Sequence, residues 1–207
     1  MFSRLQYISQ GISAADQLMN IERALEAGTK WIQLRFKSAT SDIELQEVAI
    51  MTKALCTRYN ATFIVNDHPH VAKAVLASGV HLGLKDIAVR DCRKILGNDI
   101  IGGTANTFED VIQRVEEGCD YIGVGPYRYT TTKENLSPVI GLQGFRTILD
   151  KCKLNNISVP IYAVGGILLE DVEHLINAGV YGIAVSGLIT NHENRKVLLE
   201  NLNQLLS

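Results

Sequence analysis

One short pattern occurs four times along this chain, and it constrains the fold more than any other feature of the sequence. The segments EAGTKWIQL, ASGVHLGL, EEGCDYIGVG and NAGVYGIAVSG each combine a helix end, a glycine, a polar or small spacer and a short apolar strand. Their glycines, Gly28, Gly79, Gly118 and Gly179, stand where a helix needs a left-handed residue after its last turn. The pattern therefore predicts repeated helix-to-strand connections.

Apolar strand candidates alternate with amphipathic helical stretches such as ELQEVAIMTKALCTRY and DVIQRVEEG. The strands are short and almost entirely apolar, which is typical of a parallel sheet buried on both faces. They cover residues 5–9, 30–35, 62–66, 79–83, 99–103, 120–124, 160–164 and 181–185.

Eight strands and about eight helices predict a (β/α)8 TIM barrel, a fold of usually ~200 to 400 residues, here as a single domain over residues 1–207. The alternative is a doubly wound open sheet. That fold would have fewer strands and a glycine-rich first turn, and SQGISAADQ matches the GxGxxG motif poorly.

The composition argues against several classes of protein. The chain is 46% hydrophobic and 20% charged, with a net charge of −2, so we expect neither disorder nor a large nucleic-acid interface. We find no secretory signal and no apolar run near the ~18 residues of a membrane span, and we therefore expect a cytoplasmic protein. The four cysteines are far apart without a CxxC pair, which predicts free, mostly buried thiols.

Polar residues cluster just after the predicted strands. In a TIM barrel these strand ends share one rim, where the active sites of this fold lie. The candidates are Gln33, Arg35, Lys37, Asn66, Asp67, Asp86, Thr104, Thr130, Thr132, Lys133, Gly166, Ser186 and Gly187.

The second strand carries a cationic side of this rim. Because side chains alternate along a strand, Gln33, Arg35 and Lys37 point the same way, while the apolar residues between them point towards the helices. Inward cations are unfavourable unless something compensates their charge. The alternatives are a solvated or internally salt-bridged pair and a bound polyphosphate, which an arginine fork and a lysine suit well.

Two carboxylates follow neighbouring strands. Asp67 and Asp86 each precede a helical stretch, so either could be a helix N-cap. Together, opposite two cations, they form a hard oxygen ligand set of the kind that holds Mg²⁺ beside substrate phosphates. His68 and His70 flank a proline, and we interpret them as surface residues rather than metal ligands.

Glycine turns follow the last two strands. The segments VGGI at 164–167 and VSGLI at 185–189 place glycine between a strand and a helix. Bare backbone N–H groups beside helix N-termini form an anion cradle, and TIM barrels often bind phosphate at these two strand ends. A tight turn also needs glycine, but the two segments together favour a phosphate site.

The motifs QLRFK, FIVND, VHLGLKD, IIGGTANT, IGVGPYRYTTTK, IYAVGGI and GIAVSGLI resemble, in order and spacing, those of the thiamine-phosphate synthase family. That family joins hydroxymethylpyrimidine diphosphate to a thiazole phosphate with Mg²⁺, releasing pyrophosphate and yielding thiamine monophosphate. The chain departs from the usual family motifs at Phe36, Leu84, Asn106 and Tyr129. Thr104 stands where one motif has serine, and the serine of the last motif falls one place early, at Ser186.

The resemblance implies a role for each candidate residue. Pyrophosphate would be bound by Arg35, Lys37, Lys133 and Thr104, and Mg²⁺ by Asp67 and Asp86. The pyrimidine would contact Gln33 and Asn66. The thiazole phosphate would be bound by Thr130, Thr132 and the backbone at Gly166 and Ser186-Gly187.

The implied reaction suits these residues. Cations and Mg²⁺ stabilise the leaving pyrophosphate, the aminopyrimidine carries the remaining positive charge in a dissociative path, and the thiazole nitrogen needs no protein base. Three alternatives remain: a thiazole tautomerase of the same barrel family, a phosphosugar isomerase or epimerase, and a non-catalytic barrel that binds thiamine intermediates. Whether the chain forms a homo-oligomer stays open.

Overall fold

The computed structural model describes residues 2–129 and 137–207. Eight strands form a closed barrel in the order β1-β2-β3-β4-β5-β6-β7-β8, and every neighbouring pair is parallel. The strands are β1 Leu5–Ile8, β2 Trp31–Leu34, β3 Thr62–Asn66, β4 Gly79–Leu82, β5 Ile100–Ala105, β6 Tyr121–Val124, β7 Ile161–Val164 and β8 Gly182–Val185. The TIM-barrel prediction is confirmed.

Helices follow the strands around the outside of the barrel. Within the described ranges they are α1 Ala14–Glu26, α2 Asp42–Arg58, α3 Pro69–Ala74, α4 Val89–Leu96, α5 Phe108–Glu116, α6 Gly141–Leu154, α7 Asp171–Ala178, α8 Gly187–Thr190 and α9 Arg195–Leu205. The last strand is followed by both the short helix α8 and α9, so the described helices outnumber the strands by one.

The core has two layers because strand side chains alternate between the faces of the barrel wall. Leu34 and Phe36 belong to the large cluster that packs under the helices, as predicted, and so does Ile32 of β2. Trp31 instead packs inside the barrel with Tyr121, with ring centroids 4.9 Å apart. Since β2 and β6 are not neighbours, these rings meet across the interior and fill it below the rim.

Strand ends differ slightly from the predicted ones, and this affects the rim. Strand β2 ends at Leu34, so Arg35 and Lys37 lie in the loop after it rather than on the strand. Strand β5 continues to Ala105, which places Thr104 on the strand itself. The positions of Arg35 and Lys37 therefore depend on the loop after β2, whereas that of Thr104 is set by a strand.

Three of the four predicted helix-ending glycines have left-handed backbone: Gly28 at φ 112°, Gly118 at φ 81° and Gly179 at φ 106°. The prediction for Gly79 is wrong. Gly79 opens β4, and a Cβ there would lie 1.9 Å from the carbonyl oxygen of Ile100 on the neighbouring strand. The left-handed residue after α3 is Leu76, at φ 52°.

Two further predictions concern burial. Cys56, Cys92, Cys119 and Cys152 are all buried free thiols, as predicted. Among the described residues, no helix is long and apolar enough to cross a membrane.

Candidate active site

Just below the rim, two buried amide side chains on neighbouring strands form a hydrogen bond. Gln33 on β2 donates from Nε2 to Oδ1 of Asn66 on β3, at 2.7 Å, and only 2% of Gln33 is exposed. Its own Oε1 is buried without a hydrogen-bond partner among the described residues. An unpaired buried acceptor is costly in a protein interior, so this oxygen is suited to receive a donor from a bound molecule.

The two predicted metal carboxylates lie side by side. Asp67 follows β3 directly, with left-handed backbone at φ 64°, and its N–H donates to the carbonyl of His81 at 2.8 Å. Lys37 forms an ion pair with Asp67. Asp86 accepts a hydrogen bond from the Gly83 N–H at 2.6 Å. A non-glycine residue held at positive φ is uncommon, and such residues often occur at functional sites.

The carboxylates of Asp67 and Asp86 influence each other's ionisation. Burial raises the pKa of Asp86, and hydrogen bonding and repulsion from the Asp67 carboxylate raise it further. Burial opposes the ionisation of Asp67 as well, but hydrogen bonds from Asp86 and Lys37 leave the pKa of Asp67 below its ordinary value. Two adjacent carboxylates repel each other when both are ionised, and a divalent cation bound between them would favour the ionised state of both.

The ligand chemistry here fits Mg²⁺ rather than a softer metal. Among residues 2–129 and 137–207, no cluster of three or more histidine, cysteine or acidic side chains could hold a metal. Mg²⁺ is commonly held by one or two carboxylates, with waters and substrate phosphates completing its shell. The pair Asp67 and Asp86 matches this ligand chemistry.

Both N-cap alternatives for these carboxylates are wrong. The N-cap of α3 is His68 and that of α4 is Ala88, and neither makes a side-chain capping bond. His68 and His70 are exposed, as predicted. Asp67 and Asp86 consequently remain directed to the rim rather than to a helix end.

A hydrogen-bonded chain that sequence reasoning missed runs down the barrel interior from Thr104. His81, 8% exposed on β4, contacts Thr104 Oγ1 through Nε2 at 3.0 Å and the Tyr121 hydroxyl through Nδ1 at 2.9 Å. Gln6 donates to the same hydroxyl at 3.3 Å. A polar residue inside the apolar run VHLGL was the available signal. These hydrogen bonds fix the orientation of the Thr104 hydroxyl.

Arg35 lies where the loop after β2 meets the loop after β1 and helix α1. Its backbone N–H donates to Ser9 Oγ at 2.9 Å, and its carbonyl accepts from Gln17 Nε2 at 3.3 Å. Arg35 and Lys37 both line a cavity of about 600 Å³ that also reaches Thr190 and Asn191 after β8. The cationic part of the rim thus faces the strand ends where phosphate binding is predicted.

The glycine turns lie on the same rim. Gly166 has φ 67°, and a Cβ there would lie 2.9 Å from the carbonyl oxygens of both Arg128 and Tyr129. Ser186 is the N-cap residue of α8, and its hydroxyl lies 3.5 Å from Gln10 Oε1 after β1. The N–H groups of Gly166 and Ile167 have no acceptor in the part of the chain that the structure describes.

Thr130, Thr132 and Lys133 lie outside the described residues. Both sides of their segment are held by Asn106, which donates from Nδ2 to the Gly125 carbonyl and accepts from Ser137 Oγ at 2.8 Å. Asn106 is one of the departures from the usual family motif. Its role in closing the base of this loop was not foreseen from the sequence.

Comparisons with known proteins show which family of proteins the chain is similar to. The model of a family described as thiamine monophosphate synthase matches residues 5–189. Thiamine-phosphate synthase of Flavobacterium psychrophilum is 52% identical, over 100% of both chains. The protein of that name in Methanococcus maripaludis is 35% identical, covering 97% of this chain and 93% of its own.

Solved structures resemble the chain in the same way. A thiamine phosphate pyrophosphorylase from Pyrococcus furiosus matches with a TM-score of 0.85 at 30% identity, covering 98% of this chain and 95% of that one. A 3-hexulose-6-phosphate synthase matches with a TM-score of 0.69 at 13% identity, over 99% of this chain and 100% of that one, which shows a shared fold alone.

Proposed function

This chain belongs to the thiamine monophosphate synthase family, and from that membership we propose how its rim residues join hydroxymethylpyrimidine diphosphate to a thiazole phosphate. The activity is that of a transferase, a thiamine-phosphate synthase. The observation that carries the proposed division of roles is the contact of Lys37 with Asp67 beside Asp86, next to the Gln33–Asn66 pair.

The pyrophosphate end of the first substrate binds at the loops after β2 to β5. Arg35 and Lys37 supply positive charge from one side, and the oriented hydroxyl of Thr104 donates from another. Lys133 completes the set by resemblance to the family. Asp67 and Asp86 would hold Mg²⁺, which would supply further positive charge to the leaving group. Burial raises the pKa of Asp67, but hydrogen bonds from Asp86 and Lys37 leave it below its ordinary value, which favours the ionised carboxylate that a metal ion needs.

The pyrimidine lies deeper, against Gln33 and Asn66. The Gln33–Asn66 hydrogen bond fixes the Gln33 amide, so that its unpaired Oε1 accepts from the exocyclic amino group of the pyrimidine. A buried acceptor of this kind discriminates strongly against analogues that lack the donor. Gln33 therefore gives the site its preference for an aminopyrimidine.

The thiazole phosphate binds on the other side of the mouth. Backbone N–H groups at Gly166 and at Ser186-Gly187 receive its phosphate, together with the hydroxyls of Thr130 and Thr132 by resemblance to the family. The unpaired N–H groups of the glycine turn support this placement.

The reaction then needs positioning and charge stabilisation more than proton transfer. The bond from the pyrimidine methylene carbon to the diphosphate oxygen breaks, and the aminopyrimidine ring carries the resulting positive charge. The thiazole nitrogen supplies the electron pair for the new carbon–nitrogen bond. Arg35, Lys37 and Lys133 stabilise the negative charge on the leaving group, and the opposite phosphate cradle holds the nucleophile in line.

One mixing experiment tests this proposal. The purified protein is incubated with both substrates, with and without Mg²⁺, and thiamine monophosphate and pyrophosphate are measured. We expect equal amounts of the two products, only when Mg²⁺ and both substrates are present. Product formation that is unaffected by chelation of divalent ions would contradict the metal assignment. Pyrophosphate release without the thiazole phosphate would contradict a coupled transfer.

A further inference from the structure

An ion pair outside the predicted site joins the loop after β6 to the loop after β7. Arg128 binds Asp171 through both ends of its guanidinium, with Nη1 to Oδ2 at 2.7 Å and Nη2 to Oδ1 at 2.9 Å. Asp171 is the first residue of α7 and is only 5% exposed. A bidentate pair with one buried partner is stronger and more directional than an exposed surface pair.

Several donors surround the Asp171 carboxylate. Besides Arg128, it accepts from the Tyr127 hydroxyl at 3.3 Å and from the Leu168 N–H at 2.8 Å. The Arg128 guanidinium also lies over the Tyr127 ring, 5.5 Å from its centroid. Asp171 thus connects two residues of the β6 loop to the segment that leads into α7.

Arg128 also determines which way the glycine turn after β7 faces. Its backbone N–H donates to the Gly165 carbonyl at 2.9 Å, and its Nη1 donates to the Gly166 carbonyl at 3.1 Å. In a trans peptide the C=O and the following N–H point in opposite directions. The N–H groups of Gly166 and Ile167 are therefore turned away from Arg128, and neither has an acceptor among the described residues.

We infer that Arg128 and Asp171 are positioning residues that hold the Gly165-Gly166 turn with its N–H groups presented to the phosphate of the thiazole substrate. The inference rests on the proposed function, because it concerns the same phosphate cradle. Arg128 itself touches no substrate atom in this scheme. Its side chain is occupied by Asp171 and by the Gly166 carbonyl, so it acts through the backbone.

The test compares Arg128→Met, which keeps the aliphatic bulk and the backbone N–H, with the wild-type enzyme. Loss of the Gly166 carbonyl contact lets the turn rotate, and we expect the KM and Kd for the thiazole phosphate to rise about tenfold, the effect of losing one charge-assisted hydrogen bond. The KM for the pyrimidine diphosphate should change by less than about twofold, since that substrate binds elsewhere.

A second variant covers the case in which the unpaired Asp171 destabilises the fold. Arg128→Met combined with Asp171→Asn leaves no buried charge. The double variant should show the same rise in thiazole phosphate Kd as Arg128→Met alone, because both variants lose the same Arg128–Asp171 ion pair. Arg128→Lys keeps the charge without the fork and should lie between wild type and Arg128→Met.

Arg93→Met is the matched control. Arg93 also forms an ion pair with an aspartate, Asp120, at 2.9 Å, and it donates to backbone carbonyls. Asp120 directly precedes β6, so this pair lies at the end of the barrel opposite to the rim. Its loss should lower Tm without changing either KM. The inference is overturned if folded Arg128→Met binds thiazole phosphate as tightly as wild type, or if both KM values rise equally. Wild-type turnover tests the proposed function separately, so the two can fail independently.

Discussion

At the scale of single residues, the site depends on polar atoms that burial leaves with few partners. Among the described residues, no donor reaches Gln33 Oε1. Asp67 has left-handed backbone, a conformation that most residue types avoid. Both features would be unfavourable in a purely structural core. They lie within hydrogen-bonding reach of residues that the proposed reaction uses, Asn66 and Lys37.

Replacing Asp67 by Asn tests the metal assignment without disturbing the backbone, because Asn tolerates positive φ as well as Asp does. A neutral amide is a weaker Mg²⁺ ligand, so we expect the Mg²⁺ concentration for half-maximal activity to rise at least about tenfold. Stability should change by less than about 1 kcal/mol, since the partner Lys37 is largely exposed. Titration of thiamine monophosphate formation against Mg²⁺ measures the effect.

The control for this variant is Asp91→Asn, which removes an exposed carboxylate paired with Lys94 at 2.7 Å on α4. It should leave the Mg²⁺ dependence unchanged. An unaltered Mg²⁺ titration in Asp67→Asn would remove Asp67 from the metal site.

At the scale of elements, strand packing imposes requirements that local sequence does not reveal. Gly102 on β5 leaves room for the Tyr121 ring, since a Cβ there would lie 2.1 Å from Cζ of that ring. Gly79 serves the spacing of β4 and β5, where it pairs with Ile100. Glycine therefore has two roles in this barrel, left-handed turns after helices and close approach between strands.

Two alanine substitutions separate these roles. Gly79→Ala places a methyl group 1.9 Å from the Ile100 carbonyl oxygen, and we expect a loss of more than about 3 kcal/mol in the free energy of unfolding. Gly28→Ala meets no atom within 4 Å and only strains the backbone at φ 112°, which should cost about 1–2 kcal/mol. Urea unfolding of the two variants measures the difference, and equal losses would contradict it.

At the scale of the whole molecule, the barrel closes around an aromatic interior and buries all its thiols. Trp31, Tyr121 and Tyr162 from three different strands meet edge to face inside the barrel. This packing fills the lower part of the barrel and leaves the polar residues at the upper rim. Closure also brings the loop after β1 next to the loop after β8, which forms one wall of the cavity at Arg35.

Because the thiols are buried, we expect the protein to lose stability as the pH rises above the ordinary pKa of a thiol. Burial raises the pKa of Cys56 and Cys119 to about 12 and that of Cys92 to about 11. Unfolded thiols ionise near pH 8.5, so above that pH the unfolded state binds fewer protons, and stability falls by about 1.4 kcal/mol per pH unit for each thiol. This stability is fully present below pH 8.5 and is lost as the pH rises towards 11 to 12.

Urea unfolding between about pH 8 and 11 measures this slope. Cys56→Ala should reduce the slope by the share of one thiol, whatever its effect on stability at neutral pH. In native protein at pH 8 the thiols should also resist a disulfide reagent that labels all four after denaturation. Rapid labelling of the native protein, or an unchanged slope in Cys56→Ala, would contradict the prediction.

The sequence by itself determined the barrel, the strand order and, among the described residues, which polar side chains follow the strand ends, because these follow from local periodicity and from motif spacing. The left-handed glycines after α1, α5 and α7 were predicted for the same reason. Only the tertiary structure decided the role of Gly79, the buried hydrogen bonds of His81 and the ion pair between Arg128 and Asp171. Each depends on a partner that is distant in the sequence. The local sequence does not indicate which distant atoms will come within hydrogen-bonding distance.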